Sequence, residues 1–204
     1  MHRLVGQYDS PFLRRVAVTM HHYGIPYERK VLSVFRNADQ VAEINPLIKV
    51  PVLILPDGER IFDSQMILDY LDEEAGPDKA LTPARGKERR AVLRAVTIGW
   101  GLAEKSVSLS IDKNMHPNAP SLQWRHRVRH QIKLALEWLE REAKAPWFMG
   151  EALTQADITA AAALDHLGNK HPGELNWDSH PKLRAIYDRA IALPAFQAVP
   201  FVEG

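Results

Sequence analysis

The sequence predicts an α/β plus all-α fold, a small mixed-sheet domain followed by a helical-bundle domain. Three observations carry this. Strand-like and helical patterns alternate up to residue 76; a stretch marked by Gly76, Pro77, Pro83 and Gly86 follows; beyond it every periodic segment has helical spacing. The predicted boundaries are 1–76 for the first domain, 77–86 for a linker and 87–204 for the helical domain.

The elements follow in order. Leu4 to Tyr8 reads as a strand. Pro11 to Tyr23 reads as a helix, opened by Ser10-Pro11 and closed by Gly24 and Pro26. Tyr27 to Leu32 is a second strand, and Ala38 to Ile44 a short helix stopped before Asn45-Pro46. Val52 to Leu55 and Arg60 to Phe62 flank Pro56-Asp57-Gly58-Glu59, a hairpin signal because Asp-Gly suits a tight turn. Ser64 to Glu74 places Ile67, Leu68 and Leu71 on one side of a third helix. Lys87 to about Asp112 and Pro120 to Ala145 are long amphipathic helices. Thr154-Gln155-Ala156-Asp157 has capping-box spacing ahead of the alanine-rich run Ile158 to Leu167. Pro181 to Leu193 and Pro194 to Val199 complete the pattern.

Composition narrows the chemistry. The 204 residues are 46% hydrophobic and 25% charged with a net charge of +1, so no global field argues for nucleic acid or a membrane surface. Cysteine is absent, which excludes disulfides, cysteine metal sites and a protein thiol nucleophile. No basic-apolar leader pattern and no apolar run of about 18 residues occurs, so a cytoplasmic protein is expected. His126 and His130 share a helical face but stand among Arg125, Arg127 and Arg129, with no acidic or cysteine ligand at matching spacing, so no metal is expected. The basic stretches 85–90 and 125–133 spread their charge around a helix and lack interleaved aromatics, so no nucleic-acid partner is expected either.

The most informative residues are Tyr8-Asp9-Ser10-Pro11-Phe12. Serine is a favoured N-cap, so the Ser10 hydroxyl lies beside the free N–H groups and partial positive charge of a helix N-terminus. Such a place can hold an anion, a bound thiolate included.

The order of elements and four motifs together resemble the cytosolic glutathione transferases. The motifs are Ser10-Pro11-Phe12, Asn45-Pro46-Leu47-Ile48-Lys49-Val50-Pro51-Val52-Leu53, Asp63-Ser64, and Leu153-Thr154-Gln155-Ala156-Asp157-Ile158. The resemblance covers nearly the whole chain, and its Ser-Pro-Phe form is similar to serine-type members, the plant tau class and related bacterial proteins among them. It implies an N-terminal thioredoxin-like domain that binds glutathione as co-substrate and a helical domain that carries the pocket for an electrophile and contacts within a homodimer.

The same resemblance implies residue roles. Ser10 stabilises the glutathione thiolate, with Tyr8 as the alternative hydroxyl. Val50 pairs its backbone with the cysteinyl part ahead of a cis Pro51, and Phe12 lines the site. Asp63 and Ser64 hold the γ-glutamyl end, although many members carry Glu at the first of these positions. Lys49, with Arg36 as a second candidate, meets the glycyl carboxylate. Tyr8, Trp100, Glu104, Val107 and Met115 are candidates for the second-substrate pocket, expected between the domains. Isomerisation, peroxide reduction and dehalogenation remain open beside conjugation, and a non-catalytic binding or regulatory module is the rival from another class.

Overall fold

The structure, a computed structural model, describes residues 1–116, 118 and 121–202. The chain divides into two units: Met1–Ala84 together with the C-terminal segment from Ala192, and Arg85–Ile191.

The first unit contains β1 (His2–Val5), α1 (Pro11–Tyr23), β2 (Tyr27–Lys30), α2 (Ala38–Ala42), β3 (Val52–Ile54), β4 (Arg60–Phe62) and α3 (Ser64–Ala75). The sheet order is β2-β1-β3-β4, with β1 and β2 parallel and the other two pairings antiparallel. Helix α1 starts and stops where its caps dictate: Ser10 precedes Pro11, and Gly24 takes the left-handed conformation that ends it. Leu4, Val5, Val52 and Leu53 of the sheet are fully buried, as are Leu13, Val16 and Met20 of α1 and Ile67 and Leu71 of α3. Val41 of α2 closes a second cluster with Val5, Leu32, Ile44 and Val52. The first strand is shorter than the sequence predicts. Gly6, at φ +134, ends the extended run, so Tyr8 lies in a turn rather than on the strand.

The second unit contains α4 (Gly86–Met115), α5 (Leu122–Glu142), α6 (Gln155–Lys170), two short 3-10 turns at Pro172–Glu174 and Trp177–Ser179, and α7 (Pro181–Ile191). The predicted start of α5, Pro120, lies outside the described residues. Helix α6 is buried from Gln155 to Leu167, and its alanines let α4 approach closely. A Cβ built on Gly99 of α4 would stand 3.2 Å from Thr159 Cγ2 on α6, tighter than an ordinary contact, so glycine eases the approach. Asp157 is wholly buried and accepts from the Thr154 backbone N–H at 2.8 Å, the Thr154 hydroxyl at 2.9 Å and the Phe148 N–H at 2.6 Å. A second buried polar pair joins Ser106 Oγ to His166 Nδ1 at 2.7 Å.

Two segments depart from the expected boundaries. Residues 77–84 fold onto the first unit instead of linking two domains: Leu81 and Thr82 are buried, and the Leu81 N–H donates to the Tyr23 hydroxyl at 2.6 Å while that hydroxyl donates to Asp72. The chain beyond Ile191 also belongs to the first unit rather than to the helical domain. There α8 (Pro194–Gln197) packs on α1, buried Arg14 donates from Nε to the Val199 carbonyl at 2.9 Å, and its guanidinium stands 5.6 Å from the Phe196 ring and 5.9 Å from the Phe201 ring. Apolar burial of Phe196 and Val199 together with a cation over aromatic faces accounts for the return.

Two outcomes are expected. Asp157→Ala strands three donors, so its thermal midpoint should fall by roughly 5–10 °C, the shift that a loss of about 2–3 kcal/mol gives in a chain of this size; equal midpoints would contradict the cap. Burial, with His171 and Lys170 adding to it, lowers His166 from 6.5 to about 3. The unfolded chain therefore binds this proton more tightly, so the His166 contribution is intact above about pH 6.5 and is lost as pH falls towards 3, by up to about 1.4 kcal/mol per pH unit. Denaturant midpoints at pH 7 and pH 5 should separate further for wild type than for His166→Gln, and parallel losses would exclude His166 as the cause.

Candidate functional site

Sheet register gathers the candidate residues of the first unit. Val5, the last residue of β1, pairs with Val52, the first of β3, and Val52 pairs with Phe62, the last of β4. The turn Gly6–Ser10, the Val50-Pro51 pair and Asp63-Ser64 therefore follow or precede strands at one end of the sheet. Helices α1 and α3 both begin there, so two sets of free backbone N–H groups and two partial positive charges share that end.

Ser10 caps α1 with extended backbone angles (φ −71, ψ 119), and its Oγ accepts from the Leu13 N–H at 3.4 Å, a long bond. No acceptor among the described residues takes the hydroxyl proton. Tyr8 is differently engaged. Its hydroxyl lies 2.8 Å from that of Tyr27 on β2, and the Arg29 guanidinium stands 4.0 Å from its ring centroid. Burial, followed by the Tyr8 neighbour, pushes the Tyr27 phenol well up. Phe12 is half-buried on the first turn of α1.

The Val50-Pro51 bond is cis. The chain reaches it through a held loop: buried Asn45 donates from Nδ2 to the Lys49 carbonyl at 2.9 Å and accepts from the Leu47 N–H at 3.0 Å. Ile48 sits at φ +51, rare for a β-branched residue. Lys49 and Arg36 are exposed, and neither forms an ion pair among the described residues. Gly6 is required here. A Cβ on it would meet Leu13 Cδ1 at 2.4 Å and Val50 Cβ at 3.0 Å, so the three residues close the gap between α1 and the cis bond.

Among the described residues Asp63 is the other non-glycine one in the left-handed range, at φ +66, and it caps α3 by accepting from the Gln65 N–H at 2.7 Å. Backbone strain of this kind costs about 1–3 kcal/mol per residue and clusters at sites that bind or react. Ser64, 1% exposed, is the first residue of α3, and its Oγ accepts from Arg15 Nε at 3.1 Å and Nη2 at 2.6 Å. Arg15 is itself 1% exposed. Burial lowers its pKa to about 9, with Asp63 opposing, so it stays charged at neutral pH. Arg15, Asn45 and Gly6 were not among the sequence candidates. Arg15 had a signal: it stands three or four positions from Pro11, Phe12, Val18 and Thr19, the inner face of α1.

In the second unit Trp100, Glu104, Val107 and Met115 fall on one stripe of α4, half-buried at the first three and exposed at the last. The opposite face of α4, with Ala95, Leu102, Ser106 and Leu109, is buried. The Ser108 hydroxyl donates to Glu104 at 3.1 Å, and Lys105 pairs with the same carboxylate at 2.7 Å. Two arginines of the basic stretch on α5 are paired, Arg125 with Asp112 and Arg129 with Glu174, while His126 and His130 are exposed. Among the described residues no group of three histidine or acidic side chains has metal-binding geometry, and no helix is long and apolar enough to cross a membrane.

Residues 4–79 match the family description "Glutathione S-transferase, N-terminal domain", and residues 123–189 match "Glutathione S-transferase, C-terminal domain". The chain is 30% identical over 167 residues to the GST-like protein YibF of Escherichia coli, covering 81% of each. A crystal structure of a glutathione S-transferase from Methylobacterium radiotolerans, in complex with glutathione sulfonate, superposes with a TM-score of 0.91 at 30% identity over 100% of this chain and 96% of that one. A glutathione transferase family member from Pseudomonas fluorescens with bound glutathione superposes at 0.88, also at 30% identity, over 98% of each chain.

Proposed function

The chain belongs to the glutathione S-transferase family, and from that premise we propose that it binds reduced glutathione at the shared sheet end, ionises its thiol with Ser10 and directs the sulfur at a small electrophile. The observation that carries the reading is the meeting of a free Ser10 proton, the Val50-cis-Pro51 turn and Asp63-Ser64 beside two helix N-termini. A tripeptide thiol with a carboxylate at each end matches this set of donors. The γ-glutamyl carboxylate is taken by Ser64 and the α3 N-terminus, and its ammonium by Asp63. The cysteinyl backbone pairs with Val50, and the glycyl carboxylate meets Lys49, with Arg36 as the second candidate.

Magnitudes support Ser10 in the chemical step. A free thiol has a pKa of about 8.5, and lowering it by about two units requires roughly 2.7 kcal/mol. A hydrogen bond to a charged group supplies about 1.5–3 kcal/mol, and a helix N-terminus adds about 0.3–1. A hydroxyl has one proton and two acceptor sites, so Ser10 can cap α1 and donate to sulfur together. The serine is then a thiolate partner and not a nucleophile. The Tyr8 hydroxyl, tied to Tyr27, is the weaker candidate for that part.

The partly uncovered α4 stripe of Trp100, Glu104, Val107 and Met115 supports a part in binding the electrophile, a class of compound that conjugation, isomerisation, peroxide reduction and dehalogenation would each satisfy differently. Association as a homodimer fits the exposure of Leu47 (70%), Met66 (61%) and Phe62 (39%) on the first unit.

Ultraviolet titration of enzyme-bound glutathione should give a thiol pKa well below the free value for wild type and one raised by a unit or more for Ser10→Ala. A bound thiol with the free pKa would remove Ser10 from the mechanism, and no binding at all would leave a non-catalytic module of the same fold. Light scattering should give a particle of twice the 23.1 kDa chain mass, whereas a monomer would overturn the dimer.

A further inference from the structure

The geometry points to Arg15 as a positioning residue that orients the Ser64 hydroxyl to donate to a ligand carboxylate and places a buried positive charge behind it. This rests on the glutathione reading above and adds a residue to it.

The argument starts from the inventory of one hydroxyl. Ser64 Oγ has one proton and two lone pairs. Arg15 directs two N–H groups at this oxygen, from Nε at 3.1 Å and from Nη2 at 2.6 Å. Both acceptor directions are thereby used, and the polar capacity left to the side chain is its own O–H. No acceptor among the described residues takes that proton, although Ser64 is 1% exposed. A buried donor without an acceptor is costly, and an acceptor arriving from outside relieves it. The neighbouring groups select an anion. Ser64 opens α3, so free backbone N–H groups stand beside it, and the guanidinium behind the oxygen polarises the O–H further.

A packing role alone explains Arg15 poorly. A leucine or methionine would fill the space between α1 and α3 without desolvating a charge, and burial has already lowered this guanidinium to about 9. At neutral pH it remains protonated, so the charge is present when the ligand binds. Asp63, the acid that partly offsets the burial, has its remaining carboxylate capacity directed to the ligand ammonium in the same reading. Arg15, bonded to Ser64, and Asp63, the residue before it, carry opposite charges, a zwitterion's complement: one suits a carboxylate, the other an ammonium.

The test compares two ligands that differ in one group. Glutathione carries the γ-glutamyl α-carboxylate, and γ-aminobutyryl-cysteinyl-glycine lacks that carboxylate but keeps the adjacent ammonium. Calorimetric titration of the dimeric enzyme is expected to show Arg15→Met weakening glutathione binding by roughly 10- to 100-fold while leaving the analogue's affinity at the wild-type value. Ser64→Ala should show the same ligand dependence. Arg15→Lys, which keeps the charge and one donor, should recover part of the loss and carries the comparison if Arg15→Met does not fold. In turnover the loss should appear in KM for glutathione, with the bound-thiol pKa unmoved. Equal losses for both ligands would reduce Arg15 to a packing residue and overturn the proposal, as would an unchanged glutathione affinity. A wild-type protein that binds neither ligand would instead overturn the glutathione reading, and the proposal with it.

Discussion

Two helix N-termini and one buried guanidinium meet at the same end of a four-stranded sheet, and the positive potential they create is the constraint around which the first unit is arranged. Like ends of two helix dipoles do not favour each other, and a buried cation adds to the cost. The arrangement holds because α1 and α3 also pack against each other, with Leu13, Val16, Ile67 and Leu71 fully buried, and are joined by the bond from Arg15 to Ser64. An anion bound at this end relieves the same potential. Affinity and fold therefore draw on one electrostatic feature, and the serine that caps α1 stands inside it.

The loop ahead of β3 and the entry to α3 carry the backbone strain of the unit. Ile48 and Asp63 are its non-glycine residues at positive φ among those described, and each adjoins a group assigned to the ligand. Strain persists only where surrounding bonds over-determine it. Asn45 does this for the loop, with one bond to the Lys49 carbonyl and one from Leu47; the carboxylate of Asp63, bonded to Gln65, does it for the helix entry. Gly6 allows the turn after β1 to lie against both Leu13 and Val50, a contact any side chain would block.

The second unit meets a different requirement. Helix α6 is surrounded, so its polar residues need partners close at hand. Asp157 takes three donors from the chain just before it, and His166 is paired with Ser106 on α4. Alanines and Gly99 bring the helices near enough that few large side chains are needed between them. Trp100, Glu104 and Val107 of α4 are only half-buried and Met115 is exposed, in contrast to the buried face of the same helix.

Much of this was legible in the sequence because the signals are local. Ser10, Pro11 and Gly24 bound α1, Asp57-Gly58 turns the β3–β4 hairpin, and Asp157 caps α6 through residues at most nine positions away. Their partners lie within a turn or two of chain, so the sequence alone determined the elements, their order and the helix-terminal hydroxyls. The tertiary structure decided the contacts that span the chain. Arg15 reaches Ser64 across 49 positions, Tyr8 meets Tyr27 across 19, and Arg14 holds Val199 across 185, returning the C-terminal segment to the first unit. A buried polar group must find a partner, but which one it finds depends on how the sheet and helices close. Spacing along the sequence carries no record of that closure.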